Sequence, residues 1–145
     1  MNMWNEINDE NDLKNFMDMH YGFHDSCLKE LNYISGAYAT DTFLHPINDL
    51  RILKMIIQGK FVNSSVIEME FIGLKRLTMF PNVEYTCEIL DATMILKEDC
   101  IYWCDFGGLS EKDLETFDGT VICASRLRWR AADKYLGPDE VYKAL

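Results

Sequence analysis

His20 and His24 stand four residues apart, with Asp25 directly after them. On a helix that spacing puts two imidazoles on one face, which suits a divalent metal with the carboxylate as a third ligand. The His24-Asp25 pair could equally move a proton as a general base. Gly22 stands between the histidines and disfavours an uninterrupted helix. If residue 24 already belongs to a strand, His24 and Asp25 point to opposite faces. The residues then describe a structural junction, in which Asp25 accepts backbone N–H bonds at a turn and His24 hydrogen-bonds locally. A ligand or metal site built from His20, His24 and Asp25 stands as the alternative.

Arg126, Arg128 and Arg130 recur at strand spacing, so three guanidinium groups share one face and repel one another unless anions lie alongside. Either the stripe binds an anion or a partner, or it forms an internal cross-strand ladder with Glu68 and Glu70, whose spacing matches. The ladder is the expected arrangement. Taken alone, Glu68 and Glu70 on an alternating strand read as its water-facing side. There is no Gly-x-Ser-x-Gly, no cysteine with a histidine close in sequence and no phosphate-binding glycine loop. Five cysteines form no Cys-x-x-Cys pair, and Cys100 and Cys104 would share a strand face with Tyr102 between them. Reduced thiols acting as small core residues are expected, with no metal and no cofactor.

The elements that must position these residues follow from periodicity. Asn8 or Asp9 can cap a helix between about residues 8 and 21, whose apolar positions are Leu13, Phe16, Met17 and His20, and Gly22 ends it. From Ser26 the period changes to two, and strands are predicted at 26–36, 51–58, 65–72, 85–96, 100–106 and 120–130. Lys97, Glu98 and Asp99 have the length of a hairpin loop. Ser110 and Asp113 resemble a capping box opening a short helix at 111–117, and residues 139–145 could be helical. One helix followed by consecutive strands on short connections predicts an α+β protein, mainly an antiparallel sheet that curls over its helix or closes partly into a barrel. The 145 residues, 48% of them hydrophobic, suit a single domain spanning 1–145.

The formal net charge of −10 repels phosphate backbones and anionic lipid, so nucleic acid and membranes are poor partners. The acid is unevenly placed: residues 1–25 hold six carboxylates against Lys14, and residues 98–118 hold seven against Lys112. A basic protein is the partner such a surface would meet, with Asp113, Glu115 and Asp118 at its centre. The opening residues contain neither a basic leader nor an apolar run, which predicts a cytoplasmic protein.

Phe23-His24-Asp25-Ser26, the strand from Ile67 to Leu74 and the later Ile101-Tyr102-Trp103-Cys104-Asp105 together resemble a group of small bacterial proteins that includes predicted immunity proteins of polymorphic toxin systems. The resemblance runs over roughly residues 20 to 130 in its order of elements. It implies a cytosolic bacterial protein that neutralises a toxin by binding and catalyses nothing itself.

Overall fold

The computed structural model describes residues 3–46, 50–61, 64–81, 88–133 and 136–138. The predicted helix is α1, Glu10–Met19. Asp9 caps it by accepting a hydrogen bond from the Asp12 N–H at 2.8 Å, and Glu10 and Asp12 place negative charge at its positive end. Ten residues are too few for a stable isolated helix in water, so packing must hold this one. Leu13 and Phe16 supply that packing, and burying a side chain such as Phe16 contributes about 1.5–3 kcal/mol. Beyond the helix a tight 3₁₀ turn, Tyr21–Phe23, carries Gly22 at φ +62°, with Tyr21, Phe23 and Asp25 also in the left-handed region.

Ten strands follow or flank the helix: β1 (Asn5–Glu6), β2 (Ser26–Ile34), β3 (Tyr38–Ala39), β4 (Leu44–His45), β5 (Ile52–Gln58), β6 (Val66–Thr78), β7 (Glu88–Ile89), β8 (Thr93–Lys97), β9 (Cys100–Cys104) and β10 (Val121–Ala131). A second helix, α2, is a single turn at Glu111–Leu114, opened by the expected Ser110/Asp113 capping box. β3 and β4 form a separate small hairpin. The main sheet is antiparallel in the order β7-β2-β5-β6-β10-β9-β8, with β1 also pairing β10, and it curls strongly into a half-barrel. The protein is thus α+β, as its periodicity predicts.

Three sequence expectations need correction. The single strand expected at 85–96 is two strands on opposite edges of the sheet, β7 beside β2 and β8 beside β9. Leu90, Asp91 and Ala92 carry the chain from one edge to the other, so the curl brings the two edges together along a seam. The strand expected to stop at residue 72 runs on to Thr78 through Gly73. At Gly73, φ +72°, the backbone pivots opposite Ser125, and a Cβ there would meet the Ser125 side chain at 3.0–3.1 Å. Both strands exchange faces at this point: Phe71 and Leu127 face the main core before it, Leu74 and Ala124 after it. The uninterrupted alternation expected for 120–130 is therefore broken, and Val121 turns away from the core that holds Leu127. Thirdly, the acidic side of β6 is dry, with Glu68 2% and Glu70 5% exposed. The expected helix at 139–145 and the residues 85–87 lie outside the described residues.

The main core joins Leu53, Met55 and Ile57 of β5 to Ile67, Met69 and Phe71 of β6 and to Ile101 and Trp103 of β9, with α1 and Phe23 laid on it. A smaller cluster on the other side of the sheet packs Leu114 of α2 against Cys104 and Val121. Cys27, Cys100, Cys104 and Cys123 are free thiols, and burial pushes the Cys104 thiol up to about 11. Cys87 lies outside the described residues. Among the described residues no helix is long and apolar enough to cross a membrane.

Candidate functional site

The two histidines do not meet. His20 caps the C-terminal end of α1 and is wholly buried, with its ring edge-on to Phe16, Phe61 and Trp129 at 4.7–4.9 Å between centroids. Its Nδ1 lies 2.8 Å from the Phe16 carbonyl. A carbonyl only accepts, so Nδ1 carries the proton and Nε2 is a buried acceptor that finds no partner among the described residues. Desolvation lowers the His20 pKa, against an opposing contribution from the Phe16 carbonyl. The ring is an aromatic core residue, packed among Phe16, Phe23, Phe61 and Trp129.

His24 is half exposed and points the other way, into the seam. Its Nδ1 donates to the Leu90 carbonyl, and it lies 3.4 Å from an Asp25 oxygen and 3.5 Å from an Asp91 oxygen. The Leu90 hydrogen bond and then the Asp25 charge raise its pKa, with smaller contributions from Asp91 and Glu88. Beside it, the Ala92 N–H donates to the Gly22 carbonyl at 2.8 Å. These two bonds clasp the turn after α1 to the chain that crosses the seam. The local hydrogen bond expected of His24 is therefore a long-range one. The expected Asp25 turn bonds are absent among the described residues, and Ser26 does the turn's work by donating to the Phe23 carbonyl at 2.6 Å. Asp25 can reach His24 because its own backbone is left-handed, φ +55°, which brings the two side chains to the same side. Among the described residues no three His, Cys, Asp or Glu side chains are grouped to hold a metal.

The arginine stripe meets the acidic residues of β6 across the sheet. Cross-strand register sets Arg128 opposite Glu70 and Arg130 opposite Glu68. Arg128 donates from Nε and Nη2 to one Glu70 oxygen at 3.0 and 2.8 Å, and Arg130 Nε donates to Glu68 at 2.8 Å. Lys54 of β5 adds a second positive charge 3.9 Å from Glu70. Trp4 lies over both guanidinium groups, 4.3 Å from Arg128 and 4.2 Å from Arg130, which is close enough for cation–π attraction. Arg126, opposite the apolar Ile72, takes Glu6 of β1 at 3.1 Å instead. Sequence spacing did not point to Trp4, Glu6 or Lys54, because β5 and the segment that leads into β1 are distant in the chain from β10 and come near it only in the folded sheet.

In the acidic segment, Asp113 is committed to the cap: it accepts from the Ser110 N–H and hydroxyl, both at 2.9 Å, and these bonds hold its carboxyl below the usual range. Glu111 pairs with Lys97 of the β8–β9 hairpin. Glu115 and Asp118 are exposed. Asp118 also lines a cleft of about 1040 Å³ that opens at the seam, between Met79 and Phe80 at the end of β6, the Leu90–Ala92 crossing and Asp105–Gly108 after β9. On the other side of the crossing, His24, Asp25, Asp91 and Lys60 line a second, open depression. Comparison with protein-family models, curated proteins and solved structures finds no match.

Proposed function

We propose that this chain is a non-enzymatic, cytoplasmic binding protein of the immunity type, which meets a basic protein through an acidic surface and so neutralises it. The observation that carries the reading is how the charges are distributed. The three β10 arginines lie against carboxylates of their own chain, so the stripe is poorly placed to hold an external anion. The net charge of −10 is then presented by exposed acids such as Glu10, Glu115 and Asp118. Such a field steers a cationic protein into contact, raising the association rate by about ten- to a thousandfold at low salt. A nuclease toxin would be met by charge mimicry of its anionic substrate.

The test is capture from the source cell at low and high salt, with the retained proteins identified by mass spectrometry. A basic protein that is retained at low salt, and whose association slows with Glu115→Gln and Asp118→Asn, supports the reading; recovery of no basic protein at either salt removes it. Asp113 is left intact in that experiment, because its loss would uncap α2. The alternative, a ligand or metal-dependent site of His20, His24 and Asp25, loses His20 to the core and keeps only His24 and Asp25 in the open depression. Stoichiometric metal in the purified protein, or a ligand lost in His24→Ala with the fold unchanged, would favour it.

A further inference from the structure

The hairpin of β3 and β4 is an apolar arm on a charged molecule. Residues 31–50 hold two carboxylates, Asp41 and Asp49, and neither lysine nor arginine. The arm leaves the main sheet between β2 and β5, where Gly36, φ +90°, lies close against Leu50. Thr40 closes its tip, its N–H and hydroxyl donating to the Phe43 carbonyl at 2.8 and 3.1 Å. On one face the Tyr38 ring stacks on His45 at 4.4 Å, and the Phe43 ring meets the same imidazole edge-on at 4.5 Å, centroid to centroid. Leu44, cross-strand from Ala39, alternates to the other face. Tyr38 and Phe43 are each 58% exposed and Leu44 is 69% exposed, so the arm is bare on both sides. Strands of two residues with no third strand beside them are marginal in water, yet this pair carries Tyr38, Phe43 and Leu44 out into it.

Area and charge both point to a second copy of the chain as the cover. An aromatic side chain buries about 150–250 Å², so the exposed parts of Tyr33, Ile34, Tyr38, Phe43, Leu44 and Leu50 present about 500 Å² of apolar surface. Two copies in contact would withdraw about twice that, on the order of the 1,000 Å² at which a specific interface begins. Copies that each carry a charge of −10 repel one another wherever their acids face. The arm is where they can touch with little of that repulsion, and interfaces between identical chains are more apolar than other contacts and depleted of charge at their centre. We infer that the β3–β4 hairpin is a dimerisation arm, through which two copies join about a two-fold axis with Tyr38, Phe43 and Leu44 of each buried against the other. The inference does not depend on the acidic-surface function.

Sedimentation equilibrium of the full chain tests it, at concentrations spanning the micromolar dissociation constant that marks the weak end for an interface of standard size. The mass of two chains is expected at high concentration, falling to that of one on dilution. Salt screens the repulsion between copies, so association should tighten from low to high salt, the reverse of what capture of a basic protein should show. Phe43→Ser with Leu44→Ser should weaken association about tenfold or more, and because both side chains are mostly in water the circular dichroism spectrum should not change. Leu90→Ser with Phe106→Ser, an equally exposed pair at the seam, should leave association as it was. Mixed isotope-labelled and unlabelled wild-type chains should show nuclear Overhauser contacts between the Phe43 ring of one copy and the Tyr38 or Leu44 side chain of the other, a readout that does not need the variant to fold. A single-chain mass at every concentration, association that weakens with salt, a dimer that the Phe43/Leu44 variant leaves intact, or a dimer without those contacts would each overturn the inference. Monomers that bind phosphatidylcholine vesicles through the arm would overturn it too, since lipid would then be the cover.

Discussion

Glu68 and Glu70 on β6 and Glu115 and Asp118 after α2 are the same kind of residue in opposite circumstances. The first two lie under arginines and a tryptophan, excluded from water; the second two stand in it. Desolvating a carboxylate costs several kcal/mol, and only a well-placed cation offsets it, so removing that cation does more harm than the pair does good. An exposed acid has water for a partner and contributes little to folding. Acid in this chain therefore does two jobs: on the sheet it fixes register between β6 and β10, and on the surface it is available to a visitor.

The largest effect expected from that contrast is in Arg128→Ala. Among the described residues it leaves the buried Glu70 with Lys54, 3.9 Å away, as its one cation, and should cost about 3 kcal/mol, the low end for a buried pair because Arg128 keeps 31% of its side chain exposed. Glu115→Gln should leave the denaturant midpoint where it was, and equal midpoints for the two variants would dissolve the distinction. Next in size is the double change Glu70→Leu with Arg128→Leu. Apolar replacement of both partners should recover most of that loss, with a coupling energy of about 2 kcal/mol in the double-mutant cycle; additivity would mean the pair is not a unit.

Ser110→Ala should cost about 1 kcal/mol through the lost cap. Because α2 is one turn long, the readout is local: faster hydrogen exchange at the Leu114 and Thr116 amides, which bond back to Ser110 and Asp113. The smallest effect is in acid. Asp113 has a lowered folded pKa, so its contribution is complete above its ordinary value of 3.8 and is lost as pH falls through the lower folded value. Asp105, raised chiefly by burial, runs the other way: its protonation as pH falls relieves the folded state. Carboxyl NMR titration should separate the two, and coincident midpoints would show that both carboxyls are simply solvated.

Period-two alternation revealed most of the sheet, because a half-buried strand must alternate, and the 128/70 and 130/68 pairs were readable because charge spacing matched on two strands. The face exchange at Gly73 and Ser125 was not, since a glycine within a strand does not announce a positive φ, and neither was the register shift between Cys123 and Ala124, where an extra residue in β6 leaves no mark in the alternation. His20 was misleading in a specific way. Its spacing from His24 suggested a shared site, yet its spacing from Leu13, Phe16 and Met17 had already placed it among the apolar positions of the helix, and the core claimed it. The cleft left no local signature, because its walls come from the ends of β6 and β9, the seam crossing and residues 117–120, which only the curl of the sheet assembles.

β10 borders β6 on one side and both β9 and β1 on the other, so one segment near the end of the chain completes three pairings that begin as early as Asn5. During synthesis the ribosome delivers that segment late. Until Val121–Ala131 emerges, β6 has one open edge, Glu68 and Glu70 have no arginines opposite, and β1 has nothing to pair with. Closure over such long sequence separations is slow, and the waiting strands are exposed to wrong partners. A nascent chain arrested before Val121 should accordingly be protease-sensitive throughout, gaining protection in a single late step when β10 is released.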